Sequence, residues 1–163
     1  MTPRPAGRND AAAIAEIYNQ GISERSATFE TRPRADDEIL AWLGVRHPVV
    51  VVEDGARVIA FAATFPYRPG RECYAGVAEF AVYVDPSARR RGAGRLAMRS
   101  LLASAAEAGL WKLLSRVFVE NRASRELLRG LGFREVGVYR RHARLDDEWR
   151  DVVIVERLLG EAA

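Results

Sequence analysis

Six consecutive residues, Arg89-Arg90-Arg91-Gly92-Ala93-Gly94, stand between a β-branched run ending at Val84 and an apolar-periodic segment beginning near Arg95. Glycines let a backbone fold closely around an anion, and a helix start offers unpaired N–H groups at the positive end of its dipole. The placement therefore suits a pyrophosphate. A P-loop would need a lysine and a hydroxyl residue after the last glycine, where this chain has Arg95-Leu96. The dinucleotide fingerprint needs three glycines, and this segment has two. A solvated, arginine-rich turn opening a helix is the competing reading of the same six residues.

Other reactive side chains are few. Cys73 is the only cysteine, so an internal disulfide and a zinc site with several thiolates are both excluded. Cys73 as a nucleophile would want a histidine to activate it, and His47 and His142, the only two, lie far from it and from each other in sequence. No metal is expected. The net charge of +3 comes almost entirely from arginine, which suits nucleic acid, an anionic cofactor or plain solvation equally well.

The elements that must position these groups follow from periodicity. Asn9 or Asp10 can cap a helix carrying Ile14, Ile17, Tyr18 and Ile22, and a second short helix runs from Asp36 through Ile39, Leu40, Trp42 and Leu43 to Gly44. The period then changes: Val49–Val52 and Val58–Phe65, joined by Asp54-Gly55, read as a hairpin. Val77–Val84 reads as the central strand, ended by Asp85-Pro86, and Arg95–Ala108 as a helix striped by Leu96, Met98, Leu101, Leu102 and Ala105. Leu113–Val119 is a strand, Asn121 caps a helix through Leu127, Leu128 and Leu131, and Phe133–Tyr139 and Val152–Leu158 are the last strands.

Length and composition agree with one domain over residues 1–163. With 48% hydrophobic and 29% charged residues the chain reads as a soluble globular protein. No apolar run approaches the roughly 18 to 20 residues of a membrane span, and no cleavable leader is evident, so a cytoplasmic location is expected.

The pattern Arg/Gln-x-x-Gly-x-Gly/Ala between strand and helix is that of the acetyl-CoA pyrophosphate loop in GNAT acetyltransferases, filled here by Arg89, Gly92 and Gly94. An Asn-x-x-Ala/Ser element followed by Gly-Phe is matched by Asn121-Arg-Ala-Ser124 and Gly132-Phe133. With Thr28-Phe29-Glu30-Thr31, Tyr74 ahead of Glu79, Val82-Tyr83-Val84 and Trp149-Arg150-Asp151-Val152, the chain resembles the phosphinothricin acetyltransferase family nearly end to end. That family includes relatives acting on methionine sulfoximine and arsinothricin.

The resemblance implies an α/β GNAT fold, a three-layer sandwich with a mixed, mostly antiparallel sheet and helices on both faces. It implies acetyl-CoA as co-substrate, no metal, and a homodimer, supported by the apolar C-terminal strands. Val82, Tyr83 and Val84 would hold the pantetheine arm with a backbone N–H on the thioester carbonyl. Arg89, Arg90, Arg91, Gly92, Ala93, Gly94 and Arg95 would hold the pyrophosphate, and Asn121 and Ser124 would also contact the cofactor. Glu79 is the implied general base, because an aliphatic ammonium must lose a proton before it can attack. A salt-bridged strand carboxylate is the alternative for the same residue. Phe29, Arg68, Arg71 and Tyr74 match positions around the amino-acid substrate, and arginine suits an anionic one.

Two features depart from the family. Leu128 stands where those enzymes carry a histidine, and Tyr74-Ala-Gly-Val-Ala78 lacks a tryptophan found there. The expected reaction is direct acetyl transfer to the amine of a small amino-acid analogue. The alternatives are another amine (a polyamine, an aminoglycoside or a protein N-terminus) and, from a different class, a non-catalytic acyl-CoA-binding or nucleic-acid-binding module.

Overall fold

Val49–Val52 is continuously apolar because both faces of its strand are covered. In the computed structural model, which describes residues Met1–Ala163, Val50 and Val52 enter one core and Val49 and Val51 another. The sheet between those cores has seven strands: β1 (Thr2–Pro5), β2 (Val49–Asp54), β3 (Arg57–Pro66), β4 (Val77–Val84), β5 (Lys112–Phe118), β6 (Arg134–Leu145) and β7 (Glu148–Leu158). Their order is β1-β2-β3-β4-β5-β7-β6. Only β4 and β5 run parallel, joined through the helix α3 (Ala93–Glu107). Helices α1 (Ala11–Ser23) and α2 (Asp36–Leu40) cover one face, and α3 with α4 (Arg122–Arg129) covers the other. The expected α/β arrangement, mixed and mostly antiparallel, is the one found. No helix is long and apolar enough to cross a membrane.

Several boundaries differ from the sequence reading, among them the start of β7, which lies at Glu148 rather than Val152. β1 lay hidden behind Pro3 and Pro5; proline is tolerated there because the strand lies at the sheet edge. Arg4, between the prolines, pairs with nearly buried Asp10 at 2.7 Å and fastens the strand to the start of α1. α2 ends at Leu40 rather than Leu43, although Trp42 and Leu43 still pack into the α1 core. α3 begins at Ala93, two residues early, so Gly94 lies inside its first turn. β6 continues six residues beyond Tyr139, through an exposed charged stretch with no apolar alternation to reveal it.

Between α1 and the sheet, aromatic packing is tight. Tyr83 stacks on Phe61 with centroids 5.6 Å apart and meets Tyr18 edge-on at 5.1 Å. A Cβ on Gly21 of α1 would stand 2.6 Å from the Tyr83 ring. Helix propensity favours alanine over glycine by about 1 kcal/mol, but overpacking a filled site costs about 1–3 kcal/mol. The clash wins, because rings on two sides hold Tyr83. Gly21→Ala is therefore expected to lower the thermal midpoint; a higher midpoint in a melting curve would show that the ring yields freely.

Candidate active site

The parallel pair β4–β5 is joined only at Val77/Lys112, Ala78/Leu113 and Glu79/Leu114. Beyond Glu79 the strands part, and a cleft of about 1290 Å³ opens between them, walled by Phe80–Val84 on one side and Ser115–Phe118 on the other. The parting leaves backbone groups free. Asp85 N–H donates to Ile59 O across the β3 side at 2.9 Å, and the β3–β4 register is unbroken from Pro66/Ala78 to Ala60/Val84. Strand alternation then turns the N–H groups of Phe80, Val82 and Val84 towards the gap. Val82, Tyr83 and Val84, for which the resemblance implies a role with the pantetheine arm, all line the cleft on this parted stretch of β4.

The glycine loop closes one end of the cleft. Asp85 organises its start: its carboxylate accepts from the Ser87 N–H and hydroxyl and from Arg57. Those bonds, with Ser87 first, hold the acid below its ordinary range. Gly92, at φ +88°, is the N-cap of α3, and no side chain caps that helix. Gly92, Ala93 and Gly94 all line the cleft, so the uncapped first-turn N–H groups of α3 border a cavity walled also by Arg89, Arg90 and Arg95. A Cβ on Gly94 would lie 3.2 Å from Val84 Cγ2 and 3.4 Å from Leu127 Cδ2, so this glycine lets α3 sit close against β4 and α4. These donors and cations fit a pyrophosphate.

The arginines are not equivalent. Arg89 is engaged by Glu24 at 2.8 Å, and Arg95 reaches Gly130 O at 3.4 Å. Arg91 pairs with Asp54 at 2.6 Å and does not border the cleft. Arg90, at φ +61°, borders it and makes no ion pair. Across the cleft, Asn121 caps α4 by accepting from Ser124 N–H at 3.2 Å and ties it to Ser26 O after α1; both Asn121 and Ser124 line the wall.

Glu79 lies on the α1 side of the sheet, just where β4 and β5 separate, and borders the cleft. Its carboxylate accepts from Arg116 Nη2 at 2.5 Å, with the Glu79 side chain 30% exposed. Glu79 is thus ion-paired, as the alternative reading of this residue had it, and it also faces the cavity. On the same face come Phe118 of β5 and Phe29 of the loop after α1, packed edge-on at 4.8 Å. Tyr83, whose phenol is pushed well up by burial and so stays protonated, adds a neutral wall.

The remaining substrate positions fall elsewhere. Phe29 borders the cleft, but Arg68, Arg71 and Tyr74 do not; Arg68 lies over the rings of Tyr67 and Tyr74 on the β3–β4 connection. Cys73, in the same connection, is exposed and also away from the cleft. Leu128, in the position of the family histidine, is buried in the α3-side core at 1% exposure. His142 of β6, which belongs to no local motif, lines the cleft. No cluster of three metal-ligating side chains occurs in the structure.

Residues 14–133 match the acetyltransferase (GNAT) family. The phosphinothricin N-acetyltransferase of Streptomyces coelicolor is 32% identical, with 96% of this chain and 95% of that protein covered. An L-methionine sulfoximine/L-methionine sulfone acetyltransferase of Salmonella typhimurium is 29% identical, covering 100% and 97%. The structure of the Salmonella typhimurium yncA protein with its cofactor acetyl-CoA superposes with a TM-score of 0.93 at 29% identity, covering 100% of this chain and 96% of that one.

Proposed function

The chain belongs to the acetyltransferase (GNAT) family, and on that premise we propose that it moves the acetyl group of acetyl-CoA to the amine of a small amino-acid analogue. Acceptors of the phosphinothricin, arsinothricin or methionine sulfoximine kind are the ones we propose. The observation that carries this reading is the conjunction in one cleft of an uncapped helix N-terminus, a strand edge free of its ladder, and a carboxylate where the strands part. Acetyl-CoA, when bound, supplies an activated acetyl thioester.

The chain's own groups divide the work. The first turn of α3 with Arg89, Arg90 and Arg95 holds the pyrophosphate, and Arg91 contributes longer-range charge. Asn121 and Ser124 form the opposite wall. The free N–H groups of β4 line the thioester end, where a fixed donor stabilises charge that develops on a carbonyl oxygen. Glu79 receives the acceptor's ammonium, which competes with Arg116 for its carboxylate, and takes the proton that frees the lone pair. The paired rings of Phe29 and Phe118 make an apolar wall that keeps water from the amine. The exposed Val136, Val138 and Tyr139 on the edge strand β6 support a homodimer, and we place the enzyme in the cytoplasm.

The test is release of CoA thiol from acetyl-CoA by the purified protein, with phosphinothricin, methionine sulfoximine, ordinary amino acids, polyamines and an N-terminal peptide as acceptors. Turnover is expected with the first two. Turnover confined to a polyamine or a peptide would move the acceptor to another class, and failure to bind acetyl-CoA would overturn the reading.

A further inference from the structure

An unbroken strand sends neighbouring side chains to opposite faces, yet His142 and Ala143, adjacent in β6, both line the cleft. The cause is a bulge. Tyr139 pairs with Val152 and Ala143 with Arg150, so Arg140, Arg141 and His142 stand opposite Asp151 alone. Arg141 adopts φ +48°, in the left-handed region, and its N–H donates to Asp151 Oδ1 at 2.7 Å. Bulges re-aim side chains beside active sites, and a non-glycine residue at positive φ persists only where its surroundings hold it. Asp151 does the holding.

The side chain so presented is a hydrogen-bond donor without an assigned task. The His142 ring is flanked by Phe29, 6.4 Å away, and Tyr139, 5.1 Å away, and neither ring nitrogen makes a hydrogen bond. Two carboxylates that line the cleft with it are taken by other partners: Glu79 by Arg116 and Glu30 by Arg34. Behind the same wall the Arg150 guanidinium lies 5.7 Å over the ring of Phe118, with its Nε buried and lacking any partner. The unpaired His142 ring and an arginine whose Nη2 pairs only with exposed Glu148, at 3.8 Å, thus face or back the acceptor end from the β6–β7 hairpin, while Arg68 and Arg71 stand away from the cleft.

We propose that His142, presented by the β6 bulge, recognises an oxyanion that the acceptor carries besides its amine, with the Arg150 charge behind it. The inference rests on the proposed acetyl transfer to an amino-acid analogue and assigns its anion recognition to the β6–β7 hairpin. Either ring nitrogen can donate, and imidazole always keeps at least one N–H. The oxyanion is the α-carboxylate or a side-chain group such as phosphinate.

The experiment compares His142→Ala and His142→Gln in steady-state assays with phosphinothricin, methionine sulfoximine and the α-carboxamide of each. A hydrogen bond to a charged group predicts a KM about 10-fold or more higher for the alanine variant, with kcat and the KM for acetyl-CoA unchanged and the glutamine variant restoring much of the loss. A penalty for methionine sulfoximine that disappears with its carboxamide identifies the α-carboxylate; a penalty for phosphinothricin alone identifies the side-chain oxyanion. An unchanged acceptor KM, a fall in kcat alone, or a parallel rise in the KM for acetyl-CoA would each overturn the proposal. With only two histidines, imidazole NMR separates this from failure of the parent reading: on adding phosphinothricin to the CoA complex, His142 should shift and His47 should not. That result without turnover would fault the reaction and keep the anion site; no shift would remove the site.

Discussion

Replacing Glu79 with glutamine is expected to lower kcat by about 10²- to 10⁴-fold while leaving the KM for acetyl-CoA unchanged. Glutamine keeps the size and a hydrogen-bonding oxygen for Arg116 but cannot accept a proton from an ammonium at working pH. The ion pair it weakens joins side chains 43% and 30% exposed, and such pairs contribute about 0–1 kcal/mol to stability. A melting curve should therefore move little while turnover collapses, which separates a lost base from a lost fold. The Arg116 pairing sharpens the comparison. If Glu79 served only to hold Arg116, Arg116→Met would match the effect of Glu79→Gln; as a base, Glu79 should retain most of its function without its arginine. Unchanged turnover in Glu79→Gln would remove the residue from the chemistry.

How much of this was legible before the fold was known varies with the range of the interaction that fixes each feature. The loop from Arg89 to Gly94 could be read because strand end, glycines and helix start are contiguous in sequence, and the structure differs only in starting α3 at Ala93. Asn121 could be read as a cap for the same reason, and its side chain does accept from Ser124 N–H. The partner of Glu79 could not be read. Arg116 reaches it only because β4 and β5 pair in parallel for three residues and then part, a long-range register that no local pattern encodes. His142 was invisible for a related reason: a bulge held by Asp151 leaves no mark on local periodicity, and the charged run that contains it conceals even the strand. No element was read at β1, because Pro3 and Pro5 leave no alternation to mark a strand that tolerates proline only by lying at the sheet edge. Arg68, Arg71 and Tyr74 were placed by resemblance, and the β3–β4 connection carries them away from the cleft that holds Phe29.

Gly92→Val is expected to weaken acetyl-CoA binding by about 10- to 100-fold, the equivalent of losing one or two charge-assisted hydrogen bonds. Two effects act together. At φ +88° a side chain costs about 1–2 kcal/mol even where space is free, and a β-branched one costs more. That strain pulls the N-cap out of the conformation that aligns the first N–H groups of α3. The space beside Gly92 is open, with no non-neighbouring heavy atom within 4 Å of a Cβ built there; an added side chain would instead occupy the approach of the anion. The loss should therefore appear in cofactor affinity, measured by calorimetric titration, more than in stability. Gly94→Ala supplies the contrast: its Cβ would press on Val84 and Leu127, so its penalty should appear first in the melting temperature. If Gly92→Val bound acetyl-CoA as tightly as the unaltered protein, the start of α3 would not be the pyrophosphate site, and the arginines around it would return to being a solvated turn.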